Sequence, residues 1–249
     1  MSEKPLKSPG TVSRILWHFT GGPKWNARKK KQFKKLKPAN EAYANLKKIL
    51  QDRKLILGQH VEVVKLDKLD LKKNEITGNY EIGPVPAELI SSKVCCISDI
   101  PIVHLGYHAE RYGKFAIGFH RHAVLKNGFN PVFYTLEDTG VIRSISRGFT
   151  RLRSVDISVI RSLAADNDPG EDIDFEALQI GEYIRSAEES FKHFLAFIKT
   201  FKPQDFGTIY CEREWRSLSN FGFTYADSVA MIVLPKKVGT TEYFNEFVE

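Results

Sequence analysis

Two hydrophobic periods alternate along this chain. "RILWHFT" (14–20) is built of apolar and β-preferring residues and predicts a strand, with Leu16, His18 and Thr20 on one face and Ile15, Trp17 and Phe19 on the other. "TGGP" breaks it. After Pro38 the period changes. Ala42, Leu46, Ile49 and Leu50 form one apolar stripe in "ANEAYANLKKILQDRKL" and predict a helix, with Asn40 as its cap and Glu41 in its first turn. "LILGQHVEVVKL" and "EITGNYEI" read as strands, and "SDIPIVHLGYHAERYG" as a short helix capped by Ser98 or Asp99, with Pro101 in its first turn. "KFAIGFHRHAV" alternates again, Phe115, Ile117 and Phe119 facing one way and Ala116, Gly118 and His120 the other. "NPVFYTL" predicts a further strand. "IGEYIRSAEESFKHFLAFIKTF" predicts a long helix with Ile184, Phe191, Leu195 and Ile198 on its buried stripe, a Glu188–Lys192 pair one turn apart, and Pro203 as its stop. "GTIYCEREWRSL" and "DSVAMIVLP" read as closing strands.

Strands and helices are interspersed without a low-complexity linker or an internal repeat. The expected fold is therefore one mixed α+β domain over residues 14–249, helices inserted between strands, behind a disordered tail at 1–13. The acidic "DNDPGEDIDFE" (166–176) reads as a loop. Hydrophobic residues at 42% and charged residues at 27% are ordinary for a globular protein. No apolar run approaches the roughly 20 residues of a membrane span. The first residues lack the pattern of an export signal, so a cytoplasmic protein is expected.

Charge changes this picture in one place. The stretch "KWNARKKKQFKKLK" (24–37) holds eight Lys or Arg and no acid; taking those eight from the net charge of +7 leaves −1 for the rest. Arg28, Lys29, Lys30, Lys31, Lys34 and Lys35 are thus candidates for phosphate contacts to a nucleic acid, and the same run also suits a solvated loop. Trp25 and Phe33 within it can stack on bases or anchor the segment to the core. "IRSISRGFTRLRSV" (142–155) is a looser basic stretch.

Candidate chemistry centres on "YCEREWR". As a strand it puts Tyr210, Glu212, Glu214 and Arg216 on one face, with Ile209, Cys211, Arg213 and Trp215 behind. Two carboxylates about 7 Å apart along a strand can accept hydrogen bonds from sugar hydroxyls or stabilise an oxocarbenium-like transition state. They can equally be a solvent-facing row with an Arg–Glu pair. His18, on an otherwise apolar strand just before Thr20 and two glycines, can serve a ribose or phosphate, or bond to backbone in the core. His104/His108 and His120/His122 have ligand spacing, but no Cys or carboxylate completes a set, and no metal is expected. Cys95, Cys96 and Cys211 lack CxxC spacing and read as reduced thiols. The common nucleotide-binding loops and the hydrolase elbow are absent.

"ILWHFTGG", then "CCISDIPIVHLGYHAERYGKFAIGFHR" with "GFNPVFY", then "YCEREWR" together resemble the AbiGi family over about residues 14–235. These are bacterial abortive-infection proteins, given an antitoxin role beside a toxin partner in phage defence. More widely, a His–aromatic–Thr strand, a Tyr–Gly–x–aromatic strand and a final Glu-x-Glu strand are similar to the ADP-ribosyltransferase fold. That resemblance implies NAD in a cleft between two small sheets. His18 would meet the adenine-side ribose beside Thr20. Glu214 or Glu212 would bond the nicotinamide ribose and favour the charged transition state, next to Arg216. The middle strand of that fold supplies a Tyr or Ser to the nicotinamide. Here Ile117 stands near that point, with Tyr112 or Tyr134 as substitutes. Two functions follow as expectations: a phage-defence protein transferring ADP-ribose from NAD to a macromolecule, or a non-enzymatic antitoxin or nucleic-acid-binding regulator on the same fold.

Overall fold

The computed structural model describes residues 13–26, 28–29, 31–73, 78, 80–137, 139–151, 175–236 and 242–248. The expected tail at 1–13 lies outside them except for residue 13, as do Lys30 and most of the acidic 166–176 stretch. The described residues have the expected α+β architecture, with helices interspersed among several small sheets. Two compact units are distinguishable: residues 1–60, 93–132 and 205–249 form the first, residues 61–92 and 133–204 the second.

The first unit is built on a six-stranded antiparallel sheet. Its strands are β1 (Ile15–Phe19), β7 (Cys95–Ser98), β8 (Ala116–His120), β9 (Asn130–Pro131), β12 (Glu214–Ser217) and β14 (Val229–Val233), in the order β14-β8-β1-β7-β12-β9. Both faces are covered, which is why β8 is apolar on both faces from Ala116 to Phe119. On one face Leu16, Ile97, Ile117 and Phe119 pack with Ala42, Tyr43, Leu46 and Leu50 of helix α1 (Ala39–Asp52). On the other, Trp17, Ile100 and Ala116 pack with Phe19 and with Leu105 of helix α2 (Leu105–Tyr112). Gly118 makes this second layer possible. A Cβ there would lie 2.7 Å from Ile15 Cγ2 and 2.8 Å from the Trp17 ring, so only glycine lets the indole cross β8.

Short antiparallel ribbons flank the sheet: β2 (Trp25–Asn26) with β3 (Lys31–Gln32), and β4 (Lys54–Leu55) with β13 (Phe221–Gly222). Helices α3 (Arg121–Lys126), α6 (Phe206–Ile209), α7 (Tyr225–Ser228) and α8 (Glu242–Val248) complete the unit.

The second unit holds an eleven-pair ribbon of β5 (Val63–Lys73) and β6 (Tyr80–Ile90). Val64 and Leu89 of that ribbon are buried with Ile142 and Phe149 of helix α4 (140–151), Leu195 of helix α5 (Phe175–Leu195) and Ile198. Strands β10 (Phe133–Leu136) and β11 (Ile198–Phe201) pair in parallel.

Several expected elements differ. Helix α5 ends at Leu195, so Ile198 is on a strand and Pro203 starts a 3₁₀ turn further on. "NPVFYTL" divides between β9 and β10, in different sheets and different units. His122 is on α3, not on the strand that ends at His120. Asn40 lies inside α1, where its Oδ1 accepts from Glu41 N–H; the position before the helix is Pro38, with no side-chain cap. Neither Ser98, the last residue of β7, nor Asp99 caps α2. The Glu188–Lys192 pair forms as expected, at 3.4 Å.

Candidate functional site

The stretch expected as one long strand is two structures. Residues 206–212 are helical, first α6 and then a 3₁₀ turn, and β12 begins only at Glu214. Arg213 joins them with a left-handed backbone, φ 43°. Tyr210 and Glu212 therefore do not share a strand face with Glu214 and Arg216; Tyr210 is exposed and stacks on Phe206.

Each charged residue of "EREWR" has its own internal partner. Glu212 is buried; its Oε1 accepts from the Tyr112 hydroxyl and lies 3.3 Å from Arg111 Nη2, which ties the turn to α2. Arg213 reaches back to Asp99 at 3.2 Å, where Arg121 also lands at 2.8 Å. Glu214 accepts from Arg216 Nη2 at 2.8 Å, and the Cys96 thiol donates to it. The Arg121 guanidinium lies over the Trp215 ring, 5.3 Å from its centre. Burial pushes the Cys96 thiol well above its usual range, with the Glu214 charge adding to this, and burial pushes Cys95 up to about 12. Both are therefore neutral thiols, unsuited to nucleophilic work at neutral pH.

His18 stands where the central sheet is least continuous. β1 and β7 pair at a single position, Trp17 opposite Ser98, whereas β1 and β8 pair over five. Next to that pair, His18 Nδ1 donates to the Cys96 carbonyl at 2.9 Å. A carbonyl only accepts, so Nδ1 carries the proton and Nε2 presents a lone pair. Burial holds the imidazole below its ordinary pKa, Lys37 adds to this, and the bond to Cys96 opposes it. The middle of a six-stranded sheet is normally its driest part, yet His18, Cys96 and Ser98 keep partial solvent access. Directly opposed residues project to the same side, so the register sets Trp17, Cys96, Ser98, Glu214 and Arg216 on one face and His18 on the other. His18 and Glu214 therefore lie on opposite sides of the sheet.

The loop after β1 is fixed by two glycines. Gly21 packs backbone to backbone on Gly113; a Cβ on Gly113 would lie 2.8 Å from Gly21 Cα, and φ at Gly113 is +83°. That contact holds "TGG" against the end of α2. Thr20 is buried and donates to Ala42 O, so its hydroxyl serves α1 and not a ligand. Tyr112 lies beside this loop, with its hydroxyl on Glu212. Tyr134 is on β10, in the second unit. A cavity of about 440 Å³ runs along α2, lined by Phe19, Leu105, Ala109, Lys114 and Val233; neither glutamate lines it.

The histidine pairs do not form ligand sets, and among the described residues no group of three or more His, Cys, Asp or Glu is placed to hold a metal. His120 and His122 stack, with ring centres 5.4 Å apart. His108 is buried among Phe19, Tyr107 and Tyr112. Burial, with Arg111 nearby, lowers its pKa from 6.5 to about 4. The unfolded chain then takes up this proton at higher pH than the native one. Stability is accordingly expected to be full above pH 6.5 and to fall, by up to about 3 kcal/mol, as pH drops toward 4. Urea titrations at pH 7.5 and 4.5 check this: His108→Phe should flatten the difference, and an unchanged pH dependence would remove His108 as its source.

Asp99 and its two arginines were the main feature missed in the sequence. Its one sign was an acid directly after an apolar strand, with no charged neighbour nearby.

The fold is α+β, with His18 and the buried Glu214–Arg216 pair carried on strands of one six-stranded antiparallel sheet, not between the two small sheets that the ADP-ribosyltransferase resemblance implies. A family model described as "Putative abortive phage resistance protein AbiGi, antitoxin" matches residues 87–246. The chain belongs to the AbiGi family. No curated protein and no solved structure matches it. No helix among the described residues is long and apolar enough to cross a membrane.

Proposed function

We propose that this AbiGi protein serves phage defence by binding NAD where β1 meets β7 and transferring ADP-ribose to a macromolecule. The observation that carries the reading is the single β1–β7 pair, with the partly buried His18, Cys96 and Ser98 around it and the buried Glu214 on β12 opposite Ser98. The residues fit such a ligand. His18 Nε2 accepts a hydrogen bond from a ribose hydroxyl. Glu214, oriented by Arg216 and Cys96, accepts from a second ribose hydroxyl and stabilises the positive charge that develops as the bond to nicotinamide breaks. Glu212 is a positioning residue that holds the turn before β12 against α2. Incubation with labelled NAD and cell extract tests this; the Glu214 variant that goes with it is treated in the Discussion.

A second reading rests on a different observation. Glu212 and Glu214 both hold internal arginines, as they would in a fold kept for binding alone, and the family's description names an antitoxin. In that case the protein restrains a cognate toxin. Co-expression with the product of a neighbouring toxin gene separates the two: protection that survives Glu214→Gln favours binding, and protection lost with that variant favours transfer.

A further inference from the structure

The basic segment is not a loose loop. Within it β2 and β3 pair as the arms of a hairpin, Trp25 opposite Gln32 and Asn26 opposite Lys31. Asn26 Oδ1 accepts from Lys29 N–H and closes the turn, and Phe33 N–H donates to Lys24 O at 2.9 Å. Both ends are fastened beside the candidate site. The hairpin leaves directly from the loop after His18. On its return, Lys37 N–H donates to Gly21 O at 3.1 Å and Lys37 Nζ to Gly22 O at 3.0 Å. Lys24 is neutralised by Glu41 at 2.8 Å.

Two of the eight cations are thus spent on structure. Arg28, Lys29, Lys34 and Lys35 are exposed, with no ion pair among the described residues. The two aromatics also divide. Trp25 is half-buried, edge-on to His60 at 4.7 Å, and anchors the hairpin. Phe33 is 51% exposed, directly before Lys34 and Lys35. An exposed aromatic ring directly before two free cations is what a base-stacking platform needs.

We infer that the 24–37 hairpin is a binding site for single-stranded nucleic acid, with phosphates on Arg28, Lys29, Lys34 and Lys35 and a base on Phe33. Single strands are favoured over duplex because the exposed ring needs an unstacked base face. The anchoring through Gly21 and Gly22 brings the bound strand to the loop that follows His18. The inference does not depend on NAD binding, and its test contains no NAD.

Fluorescence anisotropy with labelled 20-nucleotide single-stranded DNA and RNA, and with the DNA as duplex, tests it. Four phosphate contacts give a slope of log K on log salt of about −2.8 for a single strand, so binding should weaken about fifty-fold from 50 to 200 mM salt. The quadruple Arg28→Gln/Lys29→Gln/Lys34→Gln/Lys35→Gln variant should lose most of that slope and at least about tenfold in affinity. Phe33→Ala should weaken single-strand binding by roughly tenfold and leave duplex binding unchanged. A control of equal charge change at exposed lysines elsewhere, Lys54→Gln/Lys93→Gln/Lys126→Gln/Lys236→Gln, should bind like the parent. The inference is overturned if no strand binds, if the control loses as much as the hairpin variant, or if duplex binds at least as tightly and Phe33→Ala changes nothing.

Discussion

Replacing Arg216 with Met is expected to destabilise the fold by about 3–5 kcal/mol, enough to unfold much of the protein at ordinary temperatures. Arg216 is the largest charged side chain with no exposure at all, and it pairs with a carboxylate that is itself only 8% exposed. Taking away the cation leaves the buried Glu214 carboxyl without its arginine, so it either stays charged in the sheet or takes up a proton, and both are costly. The cost comes from that stranded carboxyl, not from lost attraction. The double variant Glu214→Leu/Arg216→Met removes both charges and should recover most of the loss, because well-packed apolar residues commonly replace a buried pair at little cost. Urea denaturation of the single and double variants measures this directly. A single variant within 1 kcal/mol of the parent would show that the pair is wetter than its burial implies.

Glu214→Gln is expected to lower ADP-ribosyl transfer by about 10² to 10³, the size of effect seen when one preorganised electrostatic partner of a developing charge is removed. Gln keeps an oxygen that can accept from Arg216 Nη2, so the fold should persist and the loss should fall on the chemistry. Transfer of label from NAD to cell extract, read beside the urea midpoint of the same variant, separates the two. Glu212→Gln should behave differently. Glu212 bonds Tyr112 and Arg111 and not the sheet centre, so it should move stability more than the transfer rate. Equal loss of rate in both variants would return Glu212 to a catalytic role.

The elements that the sequence predicts correctly are those whose local pattern and tertiary role agree. β1 is apolar and β-preferring because both of its faces are covered, and the Ala42–Leu46–Leu50 stripe of α1 is the stripe that packs on the sheet. The failures lie where tertiary contacts override the local pattern. "GTIYCE" alternates like a strand, yet Glu212 is needed at α2 and Arg213 at Asp99, and the chain turns helical with one left-handed residue to reach both. Ile198 keeps the helical spacing from Leu195, but a parallel partner in β10 draws it into a strand. The candidate site was legible in part. The "HFT" and "EREWR" motifs lie on β1 and β12 of one sheet, with His18 on the face opposite Glu214 and Arg216, while the Thr20 hydroxyl bonds α1 and the Tyr112 hydroxyl bonds Glu212. No local pattern encodes that β1 and β7 touch at one pair only, because strand separation is a property of the whole sheet.

The most direct measurement is isothermal titration calorimetry of NAD into the full chain and into His18→Ala. Saturable one-site binding, weakened at least about tenfold by loss of the single ribose-facing acceptor at His18, is the expected result. No detectable heat with the parent protein, together with no label transfer from NAD, would contradict the account and leave the six-stranded sheet as the scaffold of a binding protein.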